Sequence, residues 1–163
     1  MQPSKSEFPP LFSPGFHDIE IEQFDSYFID PFEDKDRRLF LKERFFALLN
    51  ELFRIEIDFE IWIDGSYATE KEKPNDIDLM FICKLEDEDK LSLEKHQDFV
   101  YIANSKEFRI RHNCDLKFAY ADYLPDLQTI EYYKKLYGLS RNKEPKGIPR
   151  FKYVANSENK IST

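Results

Sequence analysis

Between Asp36 and Phe53 the apolar residues Leu41, Phe45, Leu48, Leu49 and Leu52 recur every three or four positions. That spacing marks one face of a helix and predicts the clearest helix of the chain. Three shorter apolar runs, Asp58–Asp64, Asp76–Cys83 and Cys114–Tyr120, are bounded by turn residues and read as strands. Ser92 is placed to cap a helix reaching about Ala103. A further helix is expected over about Gln128–Leu136, stopped by Gly138. Tyr67–Lys73 suggests one or two helical turns ended by Pro74, and Lys146–Val154 a short strand. Glu86–Asp89 reads as the start of a loop, and Phe108–His112 fits no single period.

The first 30 residues differ in texture. Residues 1–16 are rich in Pro and Ser, with Phe8, Leu11, Phe12 and Phe16 scattered among them, and read as an extended arm packed on the domain. His17–Ile29 suggests one short helix. The expected organisation is therefore an arm over 1–30, one domain over 31–154 and a frayed polar tail over 155–163. The expected fold is α+β: a mixed sheet of three main strands with short edge strands, and helices packed on one face.

Composition narrows the function classes. Sixteen Phe and nine Tyr among 163 residues supply an aromatic core. A net charge of −8 argues against an extended nucleic-acid surface, which would be basic. No apolar run has the length of a membrane span and the start has no signal-like pattern, so a cytoplasmic protein is expected. In that compartment Cys83 and Cys114 are expected as free thiols.

The candidate chemistry lies in Asp64-Gly65-Ser66 and, after nine intervening residues, Asp76-Ile77-Asp78. Side chains alternate along a strand, so Asp76 and Asp78 share a face. Two carboxylates about 5 Å apart repel by roughly 3 kcal/mol at an effective dielectric near 20. A hard divalent cation such as magnesium, which takes oxygen ligands, relieves that repulsion. Gly65 lets backbone approach a ligand closely, and free N–H groups opening the following turn suit a phosphate.

Gly65-Ser66, Asp76-x-Asp78 and Asp115 on a later strand resemble the pattern of the DNA polymerase β-like nucleotidyltransferase superfamily. The resemblance covers about residues 59–120. The remainder, including Pro14-Gly15-Phe16-His17 and Lys146-Gly147-Ile148, is similar to a group of small bacterial proteins with this core. It implies that Asp76 and Asp78 hold two Mg²⁺ ions, with Mn²⁺ as the alternative, and that Asp115 binds one of them and helps activate an attacking hydroxyl. Gly65 and Ser66 would hold a nucleoside triphosphate, while Lys117, read from its strand position, would either neutralise the acid cluster or touch a phosphate. The implied reaction transfers a nucleoside monophosphate to a hydroxyl of a protein, an RNA or a small molecule, with analogy to toxin–antitoxin or defence systems. A core of this size leaves no room for the large helical domain with which many relatives bind the base, so a partner protein or a homodimer is expected to complete the site.

Other readings stay beside these. Asp115 and Lys117 share a face and would also make an ordinary salt bridge. Asp64 reads first as a side chain capping the turn and second as a neighbour of the metals. Arg109, Arg111 and His112 read as a solvated basic segment, with an arginine on substrate phosphate as the sharper alternative. Lys143, Lys146 and Arg150, around the Gly147 turn, read first as a solvated loop and second as side chains reaching a nucleotide tail. Three scattered histidines form no ligand spacing. The competing function is a catalytically inactive nucleotide-binding or protein-interaction module, with Phe8, Phe12 and Phe16 as contacts. Phosphoester hydrolysis is a third reading.

Overall fold

The structure, a computed structural model, describes residues 7–155. Residues 1–6 of the arm and the tail over 156–163 lie outside the described residues. Five strands form one mixed sheet: β1 (Gly15–Asp18), β2 (Phe59–Asp64), β3 (Ile77–Cys83), β4 (Cys114–Tyr120) and β5 (Gly147–Tyr153). Their order across the sheet is β1-β5-β2-β3-β4. The outer pairs β1–β5 and β3–β4 are parallel, and β2 is antiparallel to both β3 and β5. The helices are α1 (Phe24–Phe28), α2 (Asp36–Phe53), α3 (Leu85–Glu88), α4 (Leu93–Asn104), α5 (Lys106–His112) and α6 (Leu124–Tyr137). The chain is therefore an α+β protein built on a five-stranded mixed sheet.

Helices cover both faces of that sheet, not one. Ile61, Ile63, Leu79, Phe81 and Leu116 point into the main core, where they meet Phe24 of α1, Leu41, Phe45 and Leu48 of α2, Phe99 of α4 and Phe108 of α5. The alternate residues Trp62, Met80, Ile82 and Ala119 form a second cluster with Ile148, packed against Ile130, Tyr133 and Tyr137 of α6. The reason is legible in β3, where Leu79 to Cys83 are all buried. A strand apolar on both faces needs cover on both sides.

The elements with strong periodicity fall where the pattern puts them. Helix α2 buries Leu41, Phe45, Leu48, Leu49 and Leu52, and Ser92 caps α4 by accepting from the Lys95 N–H. Weakly patterned segments differ. Gly15–Asp18 is an edge strand beside β5, whereas β5 itself is seven residues long and paired on both sides. The ambiguous Phe108–His112 belongs to α5, which Ser105 caps and which ends at Asn113 in the left-handed region (φ 51°). Glu86–Glu88 lie in the short helix α3, whose first N–H groups are satisfied by Asp122, just past the neighbouring strand β4. Among the described residues, no helix is long and apolar enough to cross a membrane.

Candidate functional site

Strand register assembles the acids. Asp64 ends β2 and pairs with Asp78, the second residue of β3, which in turn pairs with Asp115, the second residue of β4. Directly paired residues share a sheet face and lie roughly 5 Å apart. Asp76 comes two residues before Asp78, just ahead of β3. The three expected acids thus gather at one end of the sheet, and Asp64 joins them. Burial, then the charges of Asp76, Asp64 and Asp115, push the Asp78 carboxyl up to about 6, with Lys117 acting in the opposite sense.

Asp64 makes no side-chain cap of the turn that follows it. Its carboxylate instead pairs with Lys146, whose ammonium is almost fully buried (7 % exposed). Burial raises the Asp64 pKa, and Lys146 partly offsets that rise. Lys146 is therefore not part of a solvated loop. Its backbone N–H donates to the Gly138 carbonyl just after α6, which holds it under the helix end. Arg150 is also engaged, donating to Asp18 at 2.6 and 3.1 Å over the face of Phe16. Lys117 sits 3.4 Å from Asp115, the salt bridge that shared strand parity allows. Tyr137 lies buried beside this row. Desolvation, followed by the charges of Asp64, Asp78 and Asp115, lifts its phenol far above the usual range, so it stays a neutral hydroxyl.

The glycine turn is fitted to the acid row. Gly65 has φ +71°, and a Cβ there would overlap the Asp78 Oδ2. Gly65→Ala is expected to strain the turn, displace the Asp78 carboxylate and destabilise the fold by about 1–3 kcal/mol, read by chemical denaturation. The turn is a single 3₁₀ segment over Gly65–Ala68, in place of the longer helix expected to Lys73.

Two arginines of α2 explain that difference. Arg38 is fully buried and donates to the carbonyls of Tyr67 (3.0 Å), Thr69 (2.6 Å) and Lys71 (2.7 Å), and to Phe28 (3.2 Å). Arg37 donates to Pro74 (2.9 Å) and Asn75. Carbonyls turned onto guanidinium groups are not available to N–H groups four residues on. The first turn of α2 thus holds the whole loop between Gly65 and Asp76.

The Gly65 turn and, of the acid row, Asp64, Asp76 and Asp78, but not Asp115, line a cleft of about 1090 Å³. One wall carries Asp64, Gly65, Ser66, Asp76, Asp78 and Lys117. The other carries the α6 residues Tyr132, Tyr133 and Leu136, and Lys71, Arg141 and Lys143 stand among the remaining lining residues. Among the described residues, no three Asp, Glu, His or Cys side chains close into a metal-holding group. Asp64 and Asp115 are turned to lysines, which supply their counter-charge. The donors in the row are nonetheless all carboxylate oxygens, the set that a hard cation takes. The negative charge gathered around Asp78 is what such an ion would neutralise.

The basic residues before β4 do not join the cleft. Arg111 pairs with Glu51 at 3.2 Å, and Arg109 donates to the Ala103 carbonyl. His112 is buried, with Nδ1 3.1 Å from the Arg44 carbonyl and a pKa lowered by burial. His17 and His96 also engage elsewhere, with Ser13 and Glu88. Cys83 and Cys114 are free buried thiols, and burial pushes Cys114 up to about 12.

Fold and site together define an α+β protein with an acid-lined, glycine-cornered cleft at one end of a mixed sheet. The chain belongs to a family of unknown function, DUF6932, whose profile matches residues 6–152. No curated protein and no solved structure matches it.

Proposed function

We propose that this chain is a divalent-metal-dependent nucleotidyltransferase of the DNA polymerase β-like type, moving a nucleoside monophosphate from a triphosphate to a hydroxyl. The observation that carries the reading is the register Asp64–Asp78–Asp115 beside the Gly65 turn, with Asp64, Asp76 and Asp78 lining a cleft large enough for a nucleotide. Asp76 and Asp78 would hold Mg²⁺ or Mn²⁺, with Asp115 as a further oxygen ligand. Bound there, the ion would neutralise phosphate charge and lower the pKa of the acceptor hydroxyl.

The remaining work falls to the chain. The N–H groups of the Gly65–Ala68 turn would donate to phosphate oxygens. Lys117 supplies positive charge next to Asp115. The acceptor oxygen bonds to the α-phosphorus, the bond to the β-phosphate bridging oxygen breaks, and pyrophosphate leaves with that electron pair. Asp115 takes the hydroxyl proton. The protein contributes chiefly position and electrostatics.

The test is pyrophosphate release and label transfer from each NTP with Mg²⁺ in the presence of protein, RNA and polyol acceptors. Asp76→Ala and Asp115→Ala are each expected to lower turnover by about 100-fold or more. A wild-type chain that releases no pyrophosphate with any acceptor, while binding no nucleotide, overturns the reading.

A further inference from the structure

The two walls of the cleft differ in chemistry. Opposite the carboxylates, lysines and glycine turn, α6 presents Tyr132, Tyr133 and Leu136 to the same space. Tyr132 and Leu136 keep 60 % and 47 % of their surface exposed, although both are large and apolar. Tyr133 packs edge-on against Tyr132 (5.2 Å) and against Tyr137 (5.5 Å), so the three rings form a continuous ladder along the helix. Its inner end, Tyr137, is buried within the field of Asp64, Asp78 and Asp115. Its outer end, Tyr132, stands about 7.5 Å away along the helix axis.

A ligand matched to this cleft has an anionic end for the glycine turn and basic side chains, and a planar apolar end for the ring ladder. A nucleoside triphosphate has that polarity. From this geometry we infer that the Tyr132–Tyr133–Leu136 face of α6 seats the nucleobase, with Tyr132 as the stacking ring. The inference rests on the nucleotidyltransferase reading and names the part of the substrate that this wall recognises. Stacking on a tyrosine face is tolerant of base identity, because every base has a π-face. The wall therefore supplies affinity for all four bases more than choice among them. It also comes from the same chain as the acids, so the base needs no second subunit.

Calorimetry with Mg²⁺ tests this, using the four NTPs and inorganic tripolyphosphate as probes on wild type, Tyr132→Ala, Tyr132→Phe and Leu136→Ala. The substituted side chains are exposed, and unchanged melting temperatures establish that each variant is folded. Tyr132→Ala is expected to weaken binding of each NTP by about 10-fold, within the range of removing one base-stacking ring. Leu136→Ala weakens it less, and Tyr132→Phe keeps wild-type affinity because the ring remains. Tripolyphosphate affinity is the same in all four proteins. NTP affinity unchanged in Tyr132→Ala, or a loss shared equally by tripolyphosphate, overturns the role of the wall while leaving the metal-site reading intact. Failure of wild type to bind both NTP and tripolyphosphate overturns that reading, and the wall's role with it.

Discussion

At pH 8 in the presence of chelator, Asp78→Asn is expected to melt about 5 °C above the wild-type chain, and with Mg²⁺ restored it is expected to show almost none of the nucleotidyl transfer proposed for the wild type. The reasoning starts from linkage. The folded-state pKa of Asp78 is raised from 3.8 to about 6, so the fold prefers the protonated carboxyl. The stability this group contributes is fully present below about pH 4 and is lost as pH rises through about 6. A shift of about two units corresponds to roughly 3 kcal/mol, and residual solvent screening at this half-buried side chain reduces that to about 2. Asparagine keeps the shape without the charge. The melting temperatures of the two proteins should therefore converge near pH 4 and separate above pH 6. Mg²⁺ should raise the wild-type value at pH 8 and leave Asp78→Asn almost unmoved. A site that is destabilised until it is filled is a recurrent trade of stability for activity.

The largest loss is expected at Arg38. Its guanidinium is 0 % exposed, meets only backbone carbonyls as hydrogen-bond partners, and lies 3.6 Å above the Phe32 ring and 4.8 Å above the Tyr67 ring. Burial pulls its pKa down to about 10, still far above neutrality, so it remains a cation. Arg38→Met would leave the carbonyls of Tyr67, Thr69 and Lys71 facing apolar volume, each at the cost of a desolvated, unpaired acceptor. The expected destabilisation is about 3–5 kcal/mol, of the size seen when a buried charged network loses a member. For a chain of this length that is a fall of roughly 10 °C or more in melting temperature. Arg38→Lys should recover only part of it, because an ammonium cannot reproduce the planar fork. A melting temperature within about 2 °C of wild type in Arg38→Met would show that the loop is held by something else.

Much of this architecture can be read from residue order. Helix α2 and strands β2, β3 and β4 announce themselves through period and turn residues, Asp76 and Asp78 through their spacing of two beside an apolar run, and Asp115 through the resemblance to a known motif. What pattern cannot reach is the contact made across long separations. Lys146 reads as a loop lysine because nothing local indicates that it folds back onto Asp64, 82 positions earlier. Strand β1 escapes notice because four residues carry too little alternation to stand out from an irregular arm. Two missed features did leave a trace. Arg38 lies three residues before Leu41 and seven before Phe45, on the apolar stripe of α2, where a charge requires buried partners. The unbroken apolar run in β3 signals cover on both sheet faces, which is the place that α6 fills.

The most direct measurement is calorimetric titration of ATP, GTP, CTP and UTP into the wild-type chain and Asp78→Asn, each with Mg²⁺ and with EDTA. Because Asp78→Asn is expected to be the more stable protein, any loss of binding reports on the site and not on folding. Nucleotide should bind wild type only when Mg²⁺ is present, and bind Asp78→Asn at least about 100-fold more weakly. Absence of nucleotide binding in wild type with Mg²⁺, or binding indifferent to both the ion and residue 78, would contradict a metal–triphosphate site formed by these aspartates and the Gly65 turn.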